Sequence, residues 1–472
     1  QFTDITQNLG GNRLRGVPAD DNGNFLTDRR WNHNEASDFL DMDAKVVLAQ
    51  YRFAPASNWD VDVAARWFEN NEHQIYHEPM GLIDRDRDGT AEWMTRQLRN
   101  QFRSNDAFTA SGNAVWRTDT GRIAHKVLFG ADIYQADADF SAQTANSANL
   151  ARGAGPVPGI DLFNPVYGVT SYRDYNLAAL PWRSTRTRSI RQGVYLQDEL
   201  TLSPRWHVLA GLRWDGFKDR DRLAGTAVDG NDLSWRLGST FSVADGVNLY
   251  ANVASGFVPQ AAANQNSAAG GPFDAERSRQ WEVGMKSLLD ERITLNLAAY
   301  RIERSNIVQA TGEVIDGVSQ LGTLGRVRST GMEMDLLADL TERWVLNLTY
   351  AYNDARVKEA GSGNITNASG DRFANAPQNT LGLWTRYDLP ALASAVGFGA
   401  SYVDERISLD GQRVKPYTVF DMSWKTQWQQ WQFQLNVKNL FDKVYAASGF
   451  TERTGHFPGE PRRVYLQAAY TF

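Results

Sequence analysis

The stretch IDRDRDGTAEW sets Asp84, Asp86 and Asp88 at alternate positions, followed by Gly89. A calcium loop begins this way, because a hard cation needs several oxygens gathered around a sharp turn. The twelfth position is Thr95, where a bidentate glutamate belongs, and Arg85 and Arg87 offset the charge. A solvated acidic loop is the favoured reading, and calcium the weaker one. Just before it stand His73, His77 and Glu78. Their order is not H-E-x-x-H, and the two histidines are expected to share a face only on a helix, so no zinc site is assigned. No nucleophile–base arrangement stands out, which argues against an enzyme. What the chain has in quantity is aromatic rings: 15 Trp, 17 Tyr and 22 Phe in 472 residues.

The elements that position these groups are strands. The net charge is −6 and the mean hydropathy −0.47, with no cysteine. No run approaches the roughly 18 apolar residues of a membrane helix. Hydropathy alone would suggest a soluble multidomain protein. Pro, Gly, Asn and Asp punctuate the whole sequence, however, and no long helical stripe stands out. The absence of cysteine rules out disulfides and thiolate metal sites and suits an exported bacterial protein. The acidic balance argues against a nucleic-acid surface. The first residues, QFTDITQNLGG, lack a signal-peptide core, so any export signal is expected upstream or removed.

Alternation is the dominant pattern. In WQFQLNVKN, Trp431, Phe433, Leu435 and Val437 fall on one face, and Gln432, Gln434, Asn436 and Lys438 on the other. WVLNLTYAYN, VNLYANVAS and WHVLAGLRW repeat it, and Arg213 falls on the polar face of the last. A soluble sandwich also alternates, so alternation decides little. These strands, though, run to about 10 residues or more, the length of a tilted membrane-spanning strand. Trp or Tyr often sits at their ends, as an interfacial girdle requires.

The connections alternate too. Short turns fall near 54–58, 117–122, 201–205, 243–246, 288–291, 339–343, 388–394 and 427–430. Long loops are expected at roughly 73–104, 139–187, 219–232, 258–276, 305–324, 357–377, 408–415 and 440–461. The reading is all-β: an antiparallel transmembrane β-barrel with short periplasmic turns and long extracellular loops. Residues 43–472 form the barrel, and residues 1–42 a loop with a partial strand leading into it. The final stretch PRRVYLQAAYTF alternates up to Phe472, as a barrel-closing strand with an aromatic carboxy-terminus should.

Several stretches together resemble the TonB-dependent receptors of the ferric-siderophore class. They are GVYLQDELTLSPRWHVLAGLRWD, VASGFVPQ with ERSRQWEVGMKS, RSTGMEMD, TYAYNDARV, RFANAPQNTLGLWTRY and YTVFDMSW. The end, VKNLFDKVYAAS with FPGEPRRVYLQAAYTF, carries the resemblance furthest. The family implies an amino-terminal plug, a TonB-contacting motif and about 22 strands. Neither plug nor motif is found, and NRLRGVPADDNGNFLTDRRWN resembles the loop after about the fifth family strand. About 17–18 strands are therefore expected, without a plug domain in this chain.

The resemblance implies a bacterial outer-membrane location. It implies TonB-energised uptake of ferric siderophore, with iron only as part of the transported complex and no resident cofactor. The partners are ferric siderophore, outer-membrane lipid and lipopolysaccharide, and the TonB complex through the plug; nucleic acid is not one. A bulky, often anionic chelate calls for aromatic faces with cationic and amide donors. Loop 139–187 supplies Phe163, Tyr167, Tyr172, Arg173, Tyr175, Trp182 and Arg183. Loop 73–104 adds Tyr76 and Trp93, and loop 258–276 adds Gln260 and Phe273. The competing role for each is loop packing or a place in the interface belt. Arg213, Lys438 and Arg463 are expected to line the lumen and face a plug. The alternative function is a passive porin-like channel. One test is built in: the strand 463–472 should pair with 430–439 and leave a gap on its other side, whereas pairing with residues 1–60 would indicate a complete smaller barrel.

Overall fold

The computed structural model describes residues 2–10, 15–145, 157–265, 267–315, 318–361 and 368–472. One antiparallel sheet holds nineteen strands, of which one is the two-residue piece Ile160–Asp161. Eighteen wall strands remain. The first six are β1 (Phe2–Gly10), β2 (Phe39–Phe53), β3 (Trp59–Ile83), β4 (Trp93–Thr120), β5 (Ile123–Ala145) and β6 (Arg183–Ser203). Each wall strand pairs with its neighbours in sequence, so the topology is a meander. Every short turn falls where the alternation breaks; positive φ at Gly121 and Gly246 supplies the tight reversal at two of them.

The last strand, Arg463–Tyr470, pairs with Trp431–Lys438 from Lys438↔Arg463 to Trp431↔Tyr470. β1 pairs with β2, and no pairing among the described residues joins β1 to Arg463–Tyr470. Among the described residues, Arg463–Tyr470 thus keeps one unpaired edge, as expected. The two ends are nonetheless linked at the loop rim. Val17 and His456 exchange two backbone hydrogen bonds, each 2.8 Å, and Arg29 pairs with Asp442 at 2.8 Å. That crossing needs glycine: a Cβ on Gly16 would lie 2.6 Å from the backbone of Gly455 and His456, and Gly455 itself has φ +71°.

Three expectations about loops are corrected. Residues 73–104 are mostly strand, since β3 reaches Ile83 and β4 starts at Trp93. Strands also fill most of 219–232 and 305–324, because their ladders continue to Asp221↔Thr226 and to Ile315↔Val318. Above the membrane both faces of a strand meet water or protein, so the apolar alternation that marks strands in sequence fades while the backbone ladder continues.

The register sorts the faces. Tyr51, Ala49 and Val47 lie opposite Val63, Ala65 and Trp67, which lie opposite Gly112, Ala110 and Phe108. At the other end Trp424, Leu435 and Leu466 align, as do Met422, Val437 and Val464. Leu466 is 73% exposed and Tyr51 67%. Apolar side chains uncovered over a whole sheet face match a lipid-facing wall. The buried clusters lie elsewhere, at the loop ends: Ile75, Leu98, Ala145, Tyr175 and Leu180; Trp31, Met94, Ile160 and Leu162; Leu324, Val327 and Val357. β3, β4 and β5 have 25, 28 and 23 residues. Crossing a bilayer takes about 9–11, so their upper halves carry the rim.

Candidate functional site

The rim is built where residues 31–38 and 157–182 meet the upper parts of β3, β4 and β5. Asp38 is its anchor. Its Oδ1 takes the His77 ring Nδ1–H at 2.8 Å, and its Oδ2 accepts from the His77 backbone N–H at 2.8 Å and the Asn34 amide at 3.0 Å. The other His77 nitrogen, Nε2, lies 3.3 Å from the Tyr175 hydroxyl, which is 3.1 Å from Thr170 Oγ1. Burial pushes Asp38 up, but the hydrogen bond and charge of His77 outweigh it and leave the carboxyl below its ordinary range. Burial raises the Tyr175 phenol.

His33 lies beside this chain and is fully buried. Its Nδ1–H donates to the His77 carbonyl at 2.6 Å, while Nε2 accepts from the Arg15 N–H at 3.1 Å. One donor and one acceptor fit a neutral ring, and burial lowers its pKa to about 4. Arg96 clamps three segments at once. It donates to Glu35 Oε1 at 2.8 Å, the His33 carbonyl at 2.9 Å and the Pro158 carbonyl at 2.7 Å. Glu35 Oε2 accepts from the Gly168 N–H at 2.7 Å. Neither partner of the Arg96–Glu35 pair is exposed.

Glu78 works on the opposite face of β3. It meets Arg15 at 2.6 Å, Arg99 at 3.4 Å and Arg453 at 3.9 Å, and accepts from Gln97 at 2.6 Å. Segment 15–38 therefore grips both faces. His73 and His77 share a face after all, because positions four apart coincide on a strand as on a helix. They do not converge on a metal: His73 stacks on Phe102 at 4.0 Å and meets Asn100 at 3.0 Å, while His77 is held by Asp38.

The sequence candidates separate into buried and accessible groups. Tyr76 is fully buried and meets the Gln101 amide at 3.3 Å; Tyr175 is 8% exposed. Both are framework. Tyr172 sits edge-on to Phe39, and Phe39 edge-on to His73; Trp182 lies 5.8 Å from Phe102. This aromatic row continues the β3 face of Val61, Val63 and Trp67. Arg173 covers the Tyr172 ring at 5.0 Å, and Arg85 covers Trp93 at 3.9 Å. Phe163, Tyr167 and Trp182 keep between 43% and 49% of their surface exposed, although the Tyr167 hydroxyl donates to the Asn32 carbonyl at 3.0 Å. Arg183 is exposed at the start of β6. Gln260 donates to the Asn306 carbonyl at 3.1 Å, and the Phe273 backbone bonds Gln265. Among the described residues no hydrogen bond joins these last two to loop 157–182.

The acidic loop satisfies itself. Asp84 accepts from the N–H groups of Arg87 at 2.6 Å and Gly89 at 2.7 Å, and Asp88 from Thr90 at 2.7 Å. One oxygen of each of Asp84, Asp86 and Asp88 lies within 4.8 Å of the others. The wall cations are paired: Arg213 with Asp132 and Asp215, both at 2.6 Å, Lys438 with Asp421 at 2.8 Å, and Arg463 with Glu460 at 3.3 Å. All three alternate with the apolar series of their strands. Sequence reading missed His33, Glu35, Asp38 and Arg96. The only signal was WNHNEASD, a polar run too rich in hydrogen-bonding side chains for a plain linker.

Comparisons with known proteins bear on this architecture. The chain superposes on the siderophore receptor PiuA from Acinetobacter baumannii with a TM-score of 0.81 at 18% identity, covering 99% of this chain and 70% of that one. It is 30% identical over 347 residues to the ferrioxamine B receptor of Salmonella typhimurium strain SL1344, covering 70% of this chain and 45% of the relative. The ferrioxamine receptor of Yersinia enterocolitica is 27% identical over 397 residues, covering 80% and 52%. The chain thus spans about half the length of these relatives. A family model described as TonB dependent receptor-like, beta-barrel, matches residues 1–440. With eighteen wall strands, an uncovered apolar face and that match, the chain belongs to the TonB-dependent receptor β-barrel family, whose members reside in the bacterial outer membrane.

Proposed function

We propose that this chain is the ligand-receiving barrel of a receptor that takes up ferric siderophore across the outer membrane with TonB energy. The observation that carries the reading is the likeness to two ferrioxamine receptors over most of this chain's length. A wall of eighteen strands suits it as the larger part of a barrel of about 22, the size whose lumen holds a plug. The accessible rim residues Phe163, Tyr167, Arg173, Trp182 and Arg183 offer aromatic faces and cations to a chelate, with Trp93, Gln260 and Phe273 as further contacts. Tyr76, Tyr172 and Tyr175 act as the framework beneath them. Arg213, Lys438 and Arg463 line the passage, and TonB acts through a plug outside these residues. The protein performs no catalysis in this reading, and iron passes through inside its chelate.

Uptake of radiolabelled ferric siderophore by cells carrying the receptor should stop when an uncoupler collapses the proton-motive force. Uptake that continues would indicate a passive channel instead. Replacing Phe163, Tyr167 and Trp182 together by alanine should weaken ferric-siderophore binding at least about tenfold while heat-modifiable folding persists, because each ring is an accessible aromatic contact. Undiminished binding would move the contact surface away from loop 157–182.

A further inference from the structure

The outward face of the wall changes character along four neighbouring strands, Glu276–Leu289, Ile293–Ile315, Val318–Thr341 and Trp344–Glu359. Across them Val283, Ala299, Met332 and Tyr352 stand in one row, with Val283 and Met332 exposed as lipid-facing residues should be. The next row toward the loops holds Trp281, Arg301, Thr330 and Asp354, and the one after it Arg279, Glu303, Arg328 and Arg356. Arg277 and Arg326 follow, each opposite Ser305. Successive rows are about 7 Å apart along the strands. Six guanidinium groups therefore gather just above the apolar wall against three carboxylates on that face, Glu303, Asp354 and Glu359, in a chain whose net charge is −6.

Four of the six are neutralised. Arg301 is held by Glu303, Arg356 by Asp354 at 2.7 Å, Arg326 by Glu359 at 2.5 Å and Arg277 by Asp232 at 2.6 Å. Arg279 and Arg328 form no ion pair among the described residues. Arg279 instead lies over Trp235 and Trp281, 5.9 Å from each ring, and Arg301 covers Trp281 at 5.8 Å. Arg328 stands directly opposite Arg356. Like charges facing each other across a ladder are destabilising, so an anion between them is favoured. The patch borders neither the unpaired edge nor the lumen. All four strands are paired on both sides, and this face turns outward. The short turns near 288–291 and 339–343 lie at the other end of these strands, which puts the arginines at the outer-leaflet level.

We infer that this patch is a docking surface for a phosphorylated glycolipid of the outer leaflet, with phosphates at Arg279 and Arg328 and acyl chains over Val283, Ala299 and Met332. Arginine grips phosphate oxygens through its planar fork, and the apolar rows below take the chains. Arg279 and Arg328 are two strands apart, about 10 Å, so a sugar headgroup with two phosphates reaches both, whereas a glycerophospholipid with one phosphate meets one. The inference rests on the outer-membrane placement of the wall and not on ferric-siderophore uptake.

The test uses the receptor purified from outer membranes in mild detergent, with no siderophore present, so its outcome is separate from that of uptake. Bound lipid is counted by native mass spectrometry during titration with a disaccharide lipid carrying two phosphates, with the same lipid dephosphorylated, and with phosphatidylglycerol. The first should bind saturably and at least about tenfold more tightly than the other two, and rising salt should weaken it, because the contacts are ionic. Arg279→Glu with Arg328→Glu should reduce that binding at least about tenfold. Arg279→Gln with Arg328→Gln, which keeps an amide donor at each position, should give a smaller loss in the same direction. Arg386→Glu, at an exposed arginine near the short-turn end of the wall, should change nothing. Equal binding of the dephosphorylated lipid or of phosphatidylglycerol would overturn the inference. So would parent-like binding by the first double variant, folded by its heat-modifiable mobility. Should that variant fail to fold, parent-like binding by the milder pair overturns it.

Discussion

The membrane-facing wall and the loop rim are built from the same strands but stabilised in opposite ways. In the wall, backbone ladders run the length of the paired strands with a bulge at a few turn ends, and the apolar side chains are exposed, as Leu466 and Val464 are in the last strand. Little side-chain packing is needed, because lipid covers one face and, between paired strands, the N–H groups find their carbonyls on the neighbour. In the rim the strands continue into water, where a bare ladder gains nothing from lipid. There the chain buries side chains instead: Arg96 with Glu35, Asp38 with His77, Glu78 with Arg15. The contrast teaches that one strand can change its source of stability halfway along. β3 carries Val61, Val63 and Trp67 below, and Ile75 and His77 above, on one continuous face.

The sharpest way to break the comparison is Arg96→Ala. It leaves Glu35 buried without its cation, which typically costs about 3–5 kcal/mol. Residues 31–38 and 157–182 should lose protection from hydrogen exchange while wall strands keep theirs; equal loss in both would mean that rim and wall are one unit. Next is Leu435→Arg, at the middle of Trp431–Lys438. A cation on the lipid face near the midplane should lower barrel stability by about 2–4 kcal/mol, whereas Gln434→Arg, one residue away on the polar face, should cost less than about 1 kcal/mol. Unfolding in lipid vesicles compares the two, and an unchanged midpoint for Leu435→Arg would reverse the face assignment.

Mild acid should act on the rim. His33 is held down to about 4 in the fold against 6.5 outside it, so the unfolded segment binds the extra proton between these values. Its contribution is complete above pH 6.5 and is lost as pH falls toward 4. Between pH 7 and 5 the loss should be about 2 kcal/mol. Protonation also sets His33 Nε2–H against the Arg15 N–H it now accepts from. Exchange at residues 31–38 followed against pH checks this, and His33→Gln should flatten the profile. The smallest effect belongs to the exposed pair Arg117–Asp60 beside a short turn, 2.5 Å apart. Asp60→Ala should shift stability by no more than about 1 kcal/mol, as a denaturation midpoint would report.

The wall was legible in the sequence because its determinant is local. Trp431, Phe433, Leu435 and Val437 alternate with amides, and a period of two specifies both a strand and its lipid face without reference to anything distant. The short turns and the pairing of Arg463–Tyr470 followed from that pattern, whereas the unpaired edge beside it was expected from the family resemblance. The rim was not legible, for two physical reasons. ENNEHQIYHEP has no apolar alternation, so nothing local distinguishes a paired strand from a loop, and 73–104 read as loop. Burial there also depends on partners far away in the chain: Arg96 closes over Glu35, Arg15 over Glu78, and Arg453 reaches the Pro79 carbonyl at 2.9 Å. Aromatic and cationic residues could be counted in the sequence, but which of them are framework and which stay accessible was decided by the fold. Tyr175 and Trp182 differ in no local respect; one is sealed against His77, and the other projects from the start of β6 half exposed. Sequence alone determined the wall and its orientation, since backbone pairing and lipid exposure repeat every two residues. Only the tertiary structure decided the rim, since burying charged side chains requires opposite charges brought together from distant segments.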